Sequence, residues 1–302
     1  MEMQQKPYEW MVKYTPQKEW IEEKGVLVWI TEVLTSVGAG LFLVSLFLNN
    51  LVGMIAGYLI IVVLDIPLHL LDYGKPFRFW RTIVPFNTAW KTSWFSRGVT
   101  LTVIFSGVAF IQMCLTYWLP GTAIEIIFKV LAGISVFMVG IYSGFIMNYC
   151  RSIPFWNSAL LPVLSIANSI CDGFFLLMAI GLAGAQLSMA TVTTAGLVLL
   201  IACTVLMFIY LWSQTYTSVT ARESVLELIR GYIAPVFWIG VVILGMIIPL
   251  GILGYAYLAG ASSTPLLVIA IVCRLLGTIA LKYCLLKAGV YSPLIPTSTT
   301  TQ

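Results

Sequence analysis

Asp65 and His69 stand four residues apart near the end of an apolar run, within "IVVLDIPLHLLDYGKPFRFW". On a helix that spacing puts a carboxylate and an imidazole on one face, a turn apart. Imidazole titrates near neutral pH, so such a pair can take up protons and hand them on. His69 is the sole histidine among 302 residues. A membrane cytochrome holds each haem between two axial ligands, normally histidines, so bound haem is not expected. The six cysteines, Cys114, Cys150, Cys171, Cys203, Cys273 and Cys284, are scattered without a CxxC pair. They read as buried free thiols, not as ligands of an iron–sulfur cluster or structural zinc. No catalytic centre and no metal site is expected in this chain, and any electrons it handles must travel on a diffusible or borrowed carrier.

The elements that position these groups follow from composition. Sixty per cent of the residues are hydrophobic and nine per cent charged, against roughly 25% charged in a soluble domain. That excludes a soluble globular protein. Continuously apolar runs reach the ~20 residues that cross a bilayer as helix, and they lack the alternation of a strand barrel. The chain reads as an all-α polytopic membrane protein. Eight spans are predicted, at about 25–48, 51–71, 97–119, 123–149, 158–182, 187–213, 233–258 and 265–287. Residues 1–24 form a polar and aromatic N-terminal segment without the apolar stretch of a signal peptide. Residues 25–290 form the membrane domain, which includes a basic aromatic loop at 72–96. Residues 291–302 read as a disordered tail.

Ionisable groups at membrane depth are costly and are functional candidates by default. At 1.5 Å per residue, Glu32 and Asp65 lie about 10 Å inside one membrane surface, with His69 a turn nearer the water. That is the depth of a quinone headgroup. Asp172 lies about 20 Å from the same surface and Arg274 about 14 Å from the other, so the two are expected to pair. Glu125 and Lys129, spaced i,i+4, read as a simple helix pair.

With eight spans both termini share one side. Fourteen of the 16 Lys and Arg then fall on that side, Lys282 and Lys287 among them, and Lys129 and Arg274 lie within spans. The opposite loops carry none. The positive-inside rule places the termini in the cytoplasm; alternatively, the basic face is a docking surface for an acidic partner. The loop from Asp72 to Ser96 carries Tyr73, Phe77, Phe79, Trp80, Phe86, Trp90, Trp94 and Phe95 beside Lys75, Arg78, Arg81 and Lys91. Rings interleaved with cations suit the headgroup region. "SVTARESVLELIR", 218–230, reads as an amphipathic stretch on the same face. Chemistry or partner contact is expected there.

"LHLLDYGKPFRFW", "SWFSRG" (93–98), "IPFWNSALLPVL" (153–164) and "RGYIAPVFWIGVVILGMIIPL" (230–250) together resemble the polysulfide reductase membrane-subunit (NrfD-like) family. "TSVGAGLFL" (35–43) resembles its first helix, and the likeness covers about residues 25 to 290. The resemblance implies an eight-helix anchor built as two four-helix bundles, without haem or iron–sulfur cluster of its own. It implies exchange of electrons between a bound, exchangeable menaquinone or other quinone and a ferredoxin-like iron–sulfur subunit, which serves a molybdopterin catalytic subunit. His69 falls at the quinone in this reading, with Asp65 a turn deeper and Trp94 and Arg97 of "SWFSRG" alongside. Glu32, Asp65, Asp172 and Arg274 are the candidates for a proton pathway, and Lys75, Arg78, Arg81 and Lys91 for partner docking. The cytoplasmic (inner) membrane is the expected location, with lipid and not nucleic acid around the chain. Two other functions stay open: a secondary transporter with Asp172 and Arg274 at its midplane, and a structural anchor that binds no quinone.

Overall fold

The computed structural model describes residues 9–72, 74–83, 88–260 and 263–295. Lys6, Tyr73, Phe86 and the chain beyond residue 295 lie outside the described residues. Eight helices are long and apolar enough to cross a membrane: α1 Gly25–Phe47, α2 Leu51–Asp72, α3 Trp94–Trp118, α4 Ala123–Tyr149, α5 Leu160–Leu182, α6 Met189–Thr217, α7 Val236–Ala259 and α8 Thr264–Lys287. Their ends follow local chemistry. Asn50 caps α2 by accepting from the Gly53 amide at 2.7 Å, and Ser93, Thr122 and Ser188 accept from amides in the first turns of α3, α4 and α6. Each cap satisfies one of the orphan donors that a helix start exposes. Gly260 ends α7 at φ 64°, a left-handed conformation open to a residue without Cβ.

Helices α1–α4 pack as one ring of four and α5–α8 as another. The seam between them is chiefly α1 against α5, supported by α4 and α8. Small residues set how near these two helices come. A Cβ on Gly40 would fall 1.6 Å from the Ser169 carbonyl oxygen, and one on Gly173 would fall 2.2 Å from that of Gly40. Apolar side chains fill each ring: Phe42 meets Phe105 edge-on at 5.1 Å in the first, and Phe175, Leu200 and Leu253 are buried in the second.

Two spans are not regular α-helix. Residues 60–65 of α2 and 236–247 of α7 are π-helical, closing Ile66 N–H onto Ile61 and Ile248 N–H onto Ile243. Pro67 and Pro249 stand just beyond. A proline gives no N–H to the carbonyl four residues back and its ring crowds that oxygen, so the chain widens there. The carbonyl that Pro249 leaves without its α-helical donor is Gly245's, and it accepts from Arg274 Nη1 at 3.4 Å.

On the terminal face, "IPFWNS" is an internal plug. Phe155 and Trp156 are fully buried, Trp156 Nε1 donates to the Leu285 carbonyl at 2.8 Å, and Tyr210 Oη donates to that of Phe155 at 2.6 Å. The amphipathic helix Val219–Arg230 packs Val225 and Leu228 into the same cluster. The expected boundary of the tail moves: β1 (Thr15–Pro16) and β2 (Val290–Tyr291) form an antiparallel pair, so Tyr291 is tied down. Gln17 Nε2 donates to the Leu286 carbonyl and Lys287 bonds Glu22, which ties the segment before α1 to the end of α8.

Candidate functional site: a polar pocket at the rim of the first bundle

Where α1, α2, α3 and α4 reach the terminal face, they enclose a cavity of about 460 Å³. Glu19, Trp20, Val28, Glu32, His69, Asp72, Thr92, Ser93, Trp94, Phe95, Tyr142, Ile146, Tyr149 and Cys150 line it. Its size and make-up, six rings interspersed with carboxylates and hydroxyls, are those of a small-molecule site. His69 also faces a second, smaller cavity of about 60 Å³ with Phe79, Gly98 and Tyr142. Gly98 is what admits that ring, since a Cβ there would overlap Tyr142 at 2.0 Å.

Asp65 lies beneath the pocket, 2% exposed. Its Oδ1 stands 3.6 Å from His69 Nε2, within ion-pair range but long for a hydrogen bond, and its Oδ2 accepts from Thr35 Oγ1 at 2.9 Å. The helical spacing therefore does bring the pair to one face. Trp94 lines the pocket, held between Phe145, stacked at 4.4 Å, and the Arg97 guanidinium 4.6 Å from the ring centroid. Arg97 itself points away. It donates to the Trp90 and Lys91 carbonyls at 2.8 and 2.7 Å, so it pins the basic loop and does not line the pocket expected of it.

Glu32 is both a pocket residue and a buried one, and Lys282 Nζ bonds it at 3.0 Å. This corrects the place of Lys282, which the charge pattern puts at the surface. Lys282 also reaches Ser143 at 3.5 Å, and Ser143 meets Ser165 at 2.7 Å. A cavity of about 10 Å³, the room one water needs, touches Ser143, Ser165, Asn168 and Lys282. Asn168 accepts from Arg274 Nη2 at 2.7 Å, and Asp172 accepts from Arg274 Nε and Thr278 Oγ1, each at 2.8 Å. Asp172 and Arg274 thus meet, 0% and 1% exposed, with Ser36 adding a third donor from α1 at 3.3 Å. Glu125 and Lys129 do not pair. Glu125 turns inward to Gln112 at 3.0 Å, and Lys129 bonds Asn49 instead.

The N-terminal segment closes the pocket from the water side. Glu19 is held below the usual carboxylate range by backbone amides, its own and that of Lys18, and it accepts from Tyr291 Oη at 3.0 Å. Partial burial and that same bond push the Tyr291 phenol up to about 12. Glu22 is lowered by Lys287, and burial raises the Cys150 thiol on the pocket wall. Outside the pocket, Lys75, Arg78, Arg81 and Lys91 all point into solvent beside Phe77, which is 93% exposed.

Sequence reasoning passed over Tyr142, Asn168, Lys282 and the wall formed by Glu19 and Trp20. A signal was present for one of them: Arg274, Thr278 and Lys282 recur every fourth residue along one stripe of an apolar helix. Tyr142 carries no such mark, because a tyrosine near a span's end also suits the membrane interface.

Fold and site together define a polytopic eight-helix membrane protein with an aromatic, titratable pocket at one rim. Residues 25–293 match the family described as Polysulphide reductase, NrfD, and the chain belongs to that family. It is similar to Protein NrfD of Escherichia coli (strain K12), 26% identical over 263 residues that cover 76% of this chain and 79% of the relative. Membership makes it a membrane subunit of a redox complex, working with partner subunits.

Proposed function

We propose that this chain exchanges electrons between membrane quinone, menaquinone or a relative of it, and an iron–sulfur partner that feeds a molybdopterin catalytic subunit. The observation that carries this is the pocket. A cavity of about 460 Å³ sets Trp20, Trp94 and Tyr142 around His69 at the bilayer rim, beside an exposed cationic loop. Flat rings suit a flat headgroup, and the titratable groups suit its oxygens. When bound, the quinol supplies two electrons and releases two protons.

The protein's part is to place proton acceptors next to those oxygens. His69 is the group on the wall, and Asp65, 3.6 Å behind it, steadies a protonated imidazole or receives its proton. Glu32 borders the same cavity and opens onto Lys282, Ser143 and Asn168, so protons have a polar route inward as far as Asp172 and Arg274. Lys75, Arg78, Arg81 and Lys91 seat the partner, with Phe77 as an apolar anchor. The basic face and both termini lie in the cytoplasm, in the inner membrane. A transporter reading gains nothing from the midplane pair, because Asp172 and Arg274 are buried and bonded to one another and to Ser36, Asn168, Gly245 and Thr278.

His69→Ala in the assembled complex tests the proposal. Quinol-linked turnover should fall about 100-fold or more, the usual contribution of a positioned acid–base group. Activity with a soluble dye at the catalytic subunit should persist. Unchanged quinol turnover would take His69 out of the mechanism.

A further inference from the structure

Another cavity, of about 640 Å³, opens on the first bundle far from the pocket, between α1 and α4 with Ile170 of α5 at its floor. Apart from Lys129 its walls are apolar: Leu43, Leu46, Phe47, Ile134 and Phe137 among them. We infer that this groove holds an anionic phospholipid, one acyl chain along the apolar walls and its phosphate at Lys129.

Three observations support it. The first is depth. Helix α4 has 27 residues and is about 40 Å long, so each end projects about 5 Å beyond a ~30 Å hydrocarbon core. Lys129 sits six residues into α4, about 9 Å from its start, and its long stem lets the ammonium snorkel to the headgroup level. The groove then runs on to Phe137, about 12 Å nearer the bilayer centre, the direction an acyl chain takes.

The second is charge. The loops at 48–50, 119–122, 183–188 and 260–263 contain no Lys or Arg, so among the described residues Lys129 is the lone cation at headgroup level on that side. Glu125, at the helical spacing to neutralise it, is instead committed to Gln112 and Thr116 inside the bundle. The contact made by Lys129 is the neutral side-chain oxygen of Asn49, whose backbone is left-handed at φ 53°. A positive charge at an apolar rim, with its natural counter-ion turned away, is complementary to a phosphodiester without an amine of its own. The third is space: Gly133 faces open volume on the groove wall, where a Cβ would meet only Leu46 at 3.5 Å.

The test is native mass spectrometry of the full complex in mild detergent, with phosphatidylglycerol or phosphatidylcholine added. The wild type should retain phosphatidylglycerol preferentially. Lys129→Gln should lower that retention about fivefold, the effect of one lysine near anionic lipid, and Lys129→Arg should keep it. Gly133→Leu, which fills the groove, should lower retention of both lipids, and glycerol 3-phosphate, a headgroup without a chain, should not compete. Unchanged retention in Lys129→Gln overturns the inference, as does selective loss of bound quinone from Gly133→Leu. Should the leucine variant not fold, the Gln and Arg variants decide alone. Quinol turnover is a separate readout, so failure of this site and of the quinone pocket are distinguishable.

Discussion

Lys282 shows how much a single buried charge can organise. Its ammonium is 3.0 Å from Glu32, and both are almost wholly removed from solvent. Removing one partner of such a pair leaves the other charge buried and uncompensated, which typically costs about 3–5 kcal/mol. Lys282→Met should therefore lower stability by about that much in a detergent unfolding titration, and the double variant with Glu32→Gln should recover most of it. If the single and double variants unfold alike, the pair contributes no coupling. Asp65 and His69 were legible at this scale because i,i+4 geometry is local. Lys282 was not, because its partner is 250 residues away and hydropathy alone puts a lysine five residues from a helix end at the surface.

At the scale of elements, the eight spans were legible since bilayer thickness fixes their length. The π-helical turns were not, although Pro67 and Pro249 in the sequence mark where they arise. The widened turn in α7 frees a carbonyl for Arg274, so a proline in one helix helps satisfy a guanidinium in another. Gly40 and Gly173 let two backbones approach too closely for any side chain. Gly40→Leu should destabilise the protein by at least about 3 kcal/mol, because backbone, unlike a side-chain tip, has no rotamer to yield. Gly133→Ala, facing only a leucine methyl at 3.5 Å, should be close to neutral. Thermal unfolding of the two variants side by side checks this, and equal midpoints would refute the seam argument.

Among the described residues the molecule is asymmetric: one face carries the pocket, the cationic loop and the paired segments around Thr15 and Tyr291, and the other is tight turns. That asymmetry was readable from the distribution of Lys and Arg, whereas the pocket's outer wall was not, because a polar N-terminal segment has no periodicity to place it. Arg78→Glu with Arg81→Glu should weaken co-purification of partner subunits and flatten the dependence of association on salt, since exposed charges act chiefly through screened attraction. Pull-down at low and high ionic strength measures it; unaltered recovery would move the docking surface elsewhere. The clamp between the paired segments has its own signature. Glu19 and Glu22 are held below the ordinary carboxylate value, so their contribution is complete above about pH 4.3 and fades as acid protonates them. Spin labels at Tyr14 and Ser292 should separate on acidification through that range and stay together at neutral pH.

Thr15 cannot meet Tyr291 until nearly the entire polypeptide has been made. Glu19 and Trp20, which wall the pocket, are fastened by Tyr291 and Trp156, and Glu22 beside them by Lys287, all supplied later in translation. The chamber is therefore finished only when the eighth helix has left the ribosome and entered the bilayer, and a product truncated before that helix would lack the fastening that shuts it.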